Sequence, residues 1–115
     1  MPVITFHGTA DPINPYEGGG PEYWQTGVVH AVEGWAGQNE CYAEPYDRQI
    51  SESVTKVKYV GCDRGGAVEL YTIEGMGHQW PGSAIDIGSD MFGPPNGEID
   101  ASQLIWHFFQ RQRLR

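Results

Sequence analysis

Hydrophobic and polar positions change rhythm several times along this chain, and each rhythm predicts an element. Val3, Ile4 and Phe6 form a short apolar run closed by Gly8, the pattern of a buried strand over 2–6. The next stretch, HGTADPINPYEGGGP over 7–21, holds three prolines and four glycines and reads as loop. Over 22–37, Trp24, Val28, Ala31 or Val32, and Trp35 recur every three or four residues and predict a helix with one apolar stripe. Gly27 and Gly34 each weaken that helix by about 1 kcal/mol. Positions 38–52 are polar and predict a loop around Cys41. Over 53–60 the residues alternate: Val54, Lys56, Lys58 and Val60 point one way, Thr55, Val57 and Tyr59 the other. A second apolar run, AVELYTI, covers 67–73, and the Gly-rich stretch 61–66 between the two predicts a β-hairpin. Positions 74–98 read as irregular. Asp100 then caps a helix over 101–113, with Leu104, Ile105, Phe108 and Phe109 as its stripe and Trp106 partly off that face. Arg111, Arg113 and Arg115 at its end suit the negative pole of the helix dipole.

The order β-α-β-β-α predicts an α/β fold: a three-stranded mixed sheet with about two helices, built from a parallel βαβ unit and an added hairpin strand. The 115 residues suffice for a single domain, 1–115, but not for two cores. Three strands would normally be one end of something larger. Met1 and Pro2 lead straight into a strand, with neither a basic leader nor a long apolar one, so the chain is expected to be a segment of a longer protein. Seven basic against fifteen acidic residues give a net charge of −8, which argues against nucleic acid and against an anionic membrane surface. No apolar run approaches the roughly 20 residues that span a bilayer. Glycine, at 16 residues, is about twice what the average usage of ~7% would supply, and this predicts short elements joined by shaped loops.

Two of those loops carry chemistry. One, His7 to Tyr16, follows the strand 2–6; the other, Glu74 to Gly82, follows the strand 67–73. If the two strands are parallel, both loops emerge at the carboxyl edge of the sheet, where open α/β sheets bind ligands. Asp11 and His78 would then meet in one crevice. An Asp–His pair serves nucleophilic catalysis: the carboxylate holds the imidazole tautomer and stabilises the imidazolium formed when histidine takes a proton. Alone, an Asp before Pro is a turn former and a Gly-His a surface loop. Their joint order, each after a strand, favours the catalytic reading and matches the later part of the Ser, Asp, His order of α/β-hydrolases.

Other residues add less. Taken alone, Cys41 and Cys62 fit either a disulfide or two buried thiols. His7, His30 and His107 lack the spacing of a metal site, and no metal or cofactor is expected. Gly18-Gly19-Gly20 is not followed by the Lys and Ser or Thr of a phosphate cradle. Trp24, Trp35 and Trp106 suit the core, whereas Trp80, beside His78 in a loop, either lines a substrate pocket or packs beneath the loop. The strand 2–6 would be a flat apolar edge and offers a route to a homo-oligomer. A small carbohydrate-binding module using exposed tryptophans is a weaker alternative.

The loops also resemble a known family. Val3-Ile4-Thr5-Phe6-His7-Gly8-Thr9-Ala10-Asp11-Pro12-Ile13-Asn14-Pro15-Tyr16 looks like the acid-loop segment of the polyhydroxybutyrate depolymerase and feruloyl esterase group of α/β-hydrolases. Trp35-Ala36 with Asn39-Glu40-Cys41 resembles that group's tryptophan and first cysteine, with Glu40 where glycine is expected. Tyr59-Val60-Gly61-Cys62 resembles the setting of its second cysteine. Val68 to Gly82, ending in His78-Gln79-Trp80-Pro81-Gly82, is similar to its histidine segment, with Met76 where glycine is usual. Ile105-Trp106-His107-Phe108-Phe109 looks like its closing helix. The resemblance implies a secreted serine esterase acting on acyl esters of polysaccharides or on polyesters, with Asp11 and His78 as acid and base and a Cys41–Cys62 bridge. One part of the pattern is missing. None of Ser51, Ser53, Ser83, Ser89 and Ser102 lies in a G-x-S-x-G elbow, and the oxyanion-hole segment is absent. The resemblance therefore implies the C-terminal portion of such an enzyme, lacking the nucleophile half and inactive alone, with that N-terminal half as its partner.

Overall fold

The computed structural model describes residues 1–42, 44–63, 66–83 and 85–112. Among them, four strands form one mixed sheet: β1 (Val3–Gly8), β2 (Tyr46–Gln49), β3 (Val54–Tyr59) and β4 (Val68–Ile73), in the order β1-β4-β3-β2. β1 runs parallel to β4, with Val3 opposite Val68 and Gly8 opposite Ile73. β3 is antiparallel to both β4 and β2. The parallel pair and the β3–β4 hairpin agree with the hydrophobic pattern, and the three-stranded expectation is corrected to four. The added strand, Tyr-Asp-Arg-Gln, lies inside the expected loop 38–52 and is exposed throughout. Being an edge strand with both faces in solvent, it carries no apolar alternation to betray it.

Three helices accompany the sheet, not two: α1 (Val28–Gln38), the single turn α2 (Ser89–Phe92) and α3 (Ala101–Gln110). α2 interrupts the stretch 74–98 expected to be irregular. α1 begins six residues later than the periodicity of 22–37 suggests. Gly27 is extended there, at φ −66° and ψ 157°, and Trp24 leaves the helix to pack beside β1. α3 starts where expected: the Asp100 carboxylate accepts from the Gln103 amide at 3.1 Å and caps it. Arg64 and Gly65 of the hairpin turn, and Arg113 and Arg115 of the expected helix end, lie outside the described residues.

Side-chain alternation splits the core into two layers. Val57, Tyr59, Val68 and Leu70 face α1 and meet Val28, Val32 and Ala36. Val54, Tyr71 and Ile73 face the other way, with Ile4, Phe6, Met76, Ile99 and Leu104 around them. β4, covered on both faces, is buried at every position but Thr72, and this explains its largely apolar sequence. One charge sits in that strand. Glu69 is 2% exposed, with Lys56 Nζ at 3.4 Å and Arg111 Nη2 at 3.8 Å, so the buried carboxylate ties the end of α3 to β3. Ala36, not Trp35, completes the inner stripe of α1. Trp35, Trp106 and Phe109, expected in the core, are substantially exposed.

Cys41 and Cys62 form a disulfide that fastens the chain just after α1 to the turn leaving β3. Glu40, beside it, has a left-handed backbone at φ 56°, the conformation in which glycine is unstrained. Among the described residues no helix is long and apolar enough to cross a membrane.

Candidate active site

The parallel pairing of β1 and β4 brings the two reactive loops together at the carboxyl edge of the sheet. The pairing continues past the strands: Thr9 N donates to Ile73 O at 3.0 Å and Ala10 N to Met76 O at 2.9 Å. Thr9 Oγ1 accepts from Gly75 N at 2.8 Å and closes the seam. Gly8 permits this approach, since a Cβ there would fall 2.1 Å from Met76 O.

Asp11 is 7% exposed at the start of a tight turn through Pro12. Its Oδ1 accepts from the amides of Ile13 and Asn14, both at 2.8 Å, which fixes the carboxylate plane. Oδ2 is left to face His78, and His78 Nδ1 donates to it at 2.9 Å. The two residues, 67 positions apart, therefore form the expected pair. With Nδ1 protonated toward Asp11, neutral His78 carries its lone pair on Nε2. Among the described residues nothing hydrogen-bonds to Nε2, and the His78 side chain is 40% exposed.

The His78 loop is held from behind by the segment around α2. Gly77 N donates to Pro94 O at 2.8 Å and His78 N to Phe92 O at 2.5 Å. Gly77 must be glycine here, because a Cβ would stand 2.1 Å from Phe92 O. Gln79 Nε2 donates to Gly93 O at 2.7 Å and to Asp86 Oδ1 at 3.0 Å. Asp86 also accepts from Gly88 N and Ser89 Oγ, and these donors, the Gly88 amide first, hold its carboxyl below the usual range. This strap was not legible in the sequence, because 74–98 has no periodicity and its order comes from backbone hydrogen bonds.

A cleft of about 450 Å³ opens in front of the pair. His7, Asp11, Asn14, His78 and Gln79 supply its polar wall; Phe6, Trp24, Met76, Trp80 and Ile87 supply much of its apolar wall. Trp80 lines the cleft and is 51% exposed, and its Nε1 donates to Ser102 Oγ on α3 at 3.0 Å. Among the described residues no serine or cysteine lies in the wall. Ser51, Ser83 and Ser89 hydroxyls instead donate to Glu98, Ile85 O and Asp86, and Cys41 and Cys62 are bonded to each other. Among the described residues no group of three or more His, Cys, Asp or Glu side chains could hold a metal ion. His7, weighed in the sequence only as a metal ligand, instead stands beside Asp11, with Nε2 3.4 Å from Oδ2.

Comparisons of the chain with protein-family models, curated proteins and solved structures find no match.

Proposed function

We propose that this chain supplies the acid and base of a serine carboxylic-ester hydrolase. The observation that carries the reading is the 2.9 Å bond from His78 Nδ1 to Asp11 Oδ2, with Nε2 left free beside a largely apolar cleft. In this reading a serine hydroxyl from a segment outside the chain, part of an α/β-hydrolase fold, adds to the ester carbonyl carbon. His78 Nε2 takes the hydroxyl proton, and Asp11 stabilises the imidazolium that forms. The tetrahedral intermediate then expels the alcohol, which receives that proton from Nε2. Water, deprotonated by the same nitrogen, adds to the acyl-serine carbonyl, and that proton passes to the serine oxygen as its bond to the acyl carbon breaks and the acid is released. The loop residues quoted above resemble those of feruloyl esterases and polyester depolymerases. Acyl esters of polysaccharides, or polyesters, are accordingly the proposed substrates, and the whole protein is proposed to be secreted. The disulfide is compatible with that location.

The reading predicts that the 115-residue chain alone neither reacts with a fluorophosphonate nor shows inhibitor-sensitive turnover of p-nitrophenyl acetate. The reading frame 5′ of the Met1 codon is expected to encode a G-x-S-x-G segment. The protein expressed from the extended frame should hydrolyse the ester, and Asp11→Asn should lower kcat about 10⁴-fold by favouring the wrong tautomer. A frame without the elbow, or fluorophosphonate-sensitive turnover by the short chain, would overturn the proposal.

A further inference from the structure

We infer that His7 is a positioning residue for the Asp11–His78 pair. The inference rests on the acid–base reading above, but it concerns a side chain that reading does not use. His7 is the penultimate residue of β1 and is 9% exposed. Its ring stacks on Trp24, with centroids 5.5 Å apart and planes at 18°, and meets the edge of Tyr16 at 5.9 Å. Both neighbours are themselves fixed. Trp24 Nε1 donates to Pro15 O at 2.8 Å, and the Tyr16 hydroxyl bonds Thr72 Oγ1 at 2.8 Å. The neighbours therefore fix the plane of the imidazole, and the Asn14 carbonyl selects the edge that carries Nε2.

In that orientation Nε2 lies 2.7 Å from Asn14 O and 3.4 Å from Asp11 Oδ2. A carbonyl oxygen only accepts, so Nε2 carries a hydrogen and donates it to Asn14 O, while the Asp11 carboxylate lies beside the same nitrogen. The bond holds the carbonyl of Asn14, whose own amide donates to Asp11 Oδ1, and it sets the ring edge against the Asp11 oxygen that receives His78. His7 thus fixes the rotation of the Asp11 carboxylate, and through it the tautomer of His78. Two histidines face one carboxylate oxygen, one oriented to act and the other to orient.

The test is ring-nitrogen NMR of the ¹⁵N-histidine-labelled 115-residue chain. In the wild-type protein His7 is expected as the Nε2–H tautomer and His78 as Nδ1–H. His7→Phe keeps a ring against Trp24 but removes the donor. There His78 should lose its distinct Nδ1–H signal and average between tautomers. His7→Gln carries an amide N–H to the position of Nε2 and should restore that signal. A residue that only fills space would leave His78 unchanged in the Phe variant, and that result overturns the inference. If the Phe variant does not fold, the wild-type spectrum decides: a His7 protonated on Nδ1 rather than Nε2 overturns it equally. Wild-type His78 without the Nδ1–H form would instead sink the acid–base pair itself. The two failures are therefore distinguishable.

Discussion

Single residues in this protein are constrained mostly by backbone geometry around the two loops. Gly8 and Gly77 occupy places where a Cβ would strike a carbonyl oxygen at 2.1 Å, so the seam that joins Asp11 to His78 depends on missing side chains. Glu40 shows the opposite case. Its φ of 56° costs an L-residue about 1–2 kcal/mol, while the greater freedom of unfolded glycine offsets about 0.4–1 kcal/mol of any gain. Glu40 is exposed, and none of its side-chain atoms makes a described hydrogen bond. Glu40→Gly should therefore stabilise the fold by about 0.5–1 kcal/mol, read as a higher urea midpoint with an unchanged slope. The left-handed dihedral is the physical reason that glycine suits this position.

Between elements, hydrogen bonds to an exposed carboxylate hold segments that lack a core of their own. Glu98 accepts from Ser51 Oγ at 2.5 Å, Ser53 N at 2.9 Å and Asn96 Nδ2 at 3.1 Å, joining the turn before β3 to the approach to α3. The Ser51 hydroxyl first, then the Ser53 amide, lower its carboxyl to about 2. A folded-state value below the unfolded one stabilises the fold above the unfolded value, and that contribution is lost as pH falls through the folded one. For Glu98 the window runs from the usual glutamate range, near pH 4.5, down to about 2. Thermal midpoints measured across that window should fall less steeply with acid in Glu98→Gln than in the wild type. An identical slope in both proteins would count against this role. None of it was visible in the hydrophobic pattern, because the turn and the loop are distant in sequence and both polar.

Across the whole molecule, the disulfide and the charges gathered on buried Glu69 anchor α1 and α3 to the sheet. Cys41–Cys62 joins the end of α1 to the hairpin turn with a sequence separation of 21. By loop entropy, closing such a loop contributes roughly 3 kcal/mol. Denaturant unfolding in the presence of dithiothreitol should show a loss of that order. A midpoint insensitive to reductant would mean that helix packing alone holds this end. The same architecture leaves β1 at an edge of the sheet, with the acid–base pair at its carboxyl end.

Much of this could be read from side-chain order alone. β1, β3 and β4 each show a run or an alternation dictated by burial on one or both faces, and the Asp100 cap announces α3. Asp11 and His78 were legible because each lies in a loop that directly follows a predicted strand, so parallel pairing brings both loops to one edge. β2 was hidden because a solvent-exposed edge strand buries nothing and therefore patterns nothing. The strap through α2 was hidden because its order comes from backbone bonds and glycine contacts rather than apolar periodicity. The start of α1 was hidden because Gly27 is extended and Trp24, four residues before the helix, stacks on the His7 ring instead of joining the stripe. His7 itself could be noted as a histidine near an aspartate. Its place beside Oδ2, with one ring nitrogen committed as a donor, required the turn through Pro12 to fold Asn14 O back toward it, a contact that only three-dimensional packing creates.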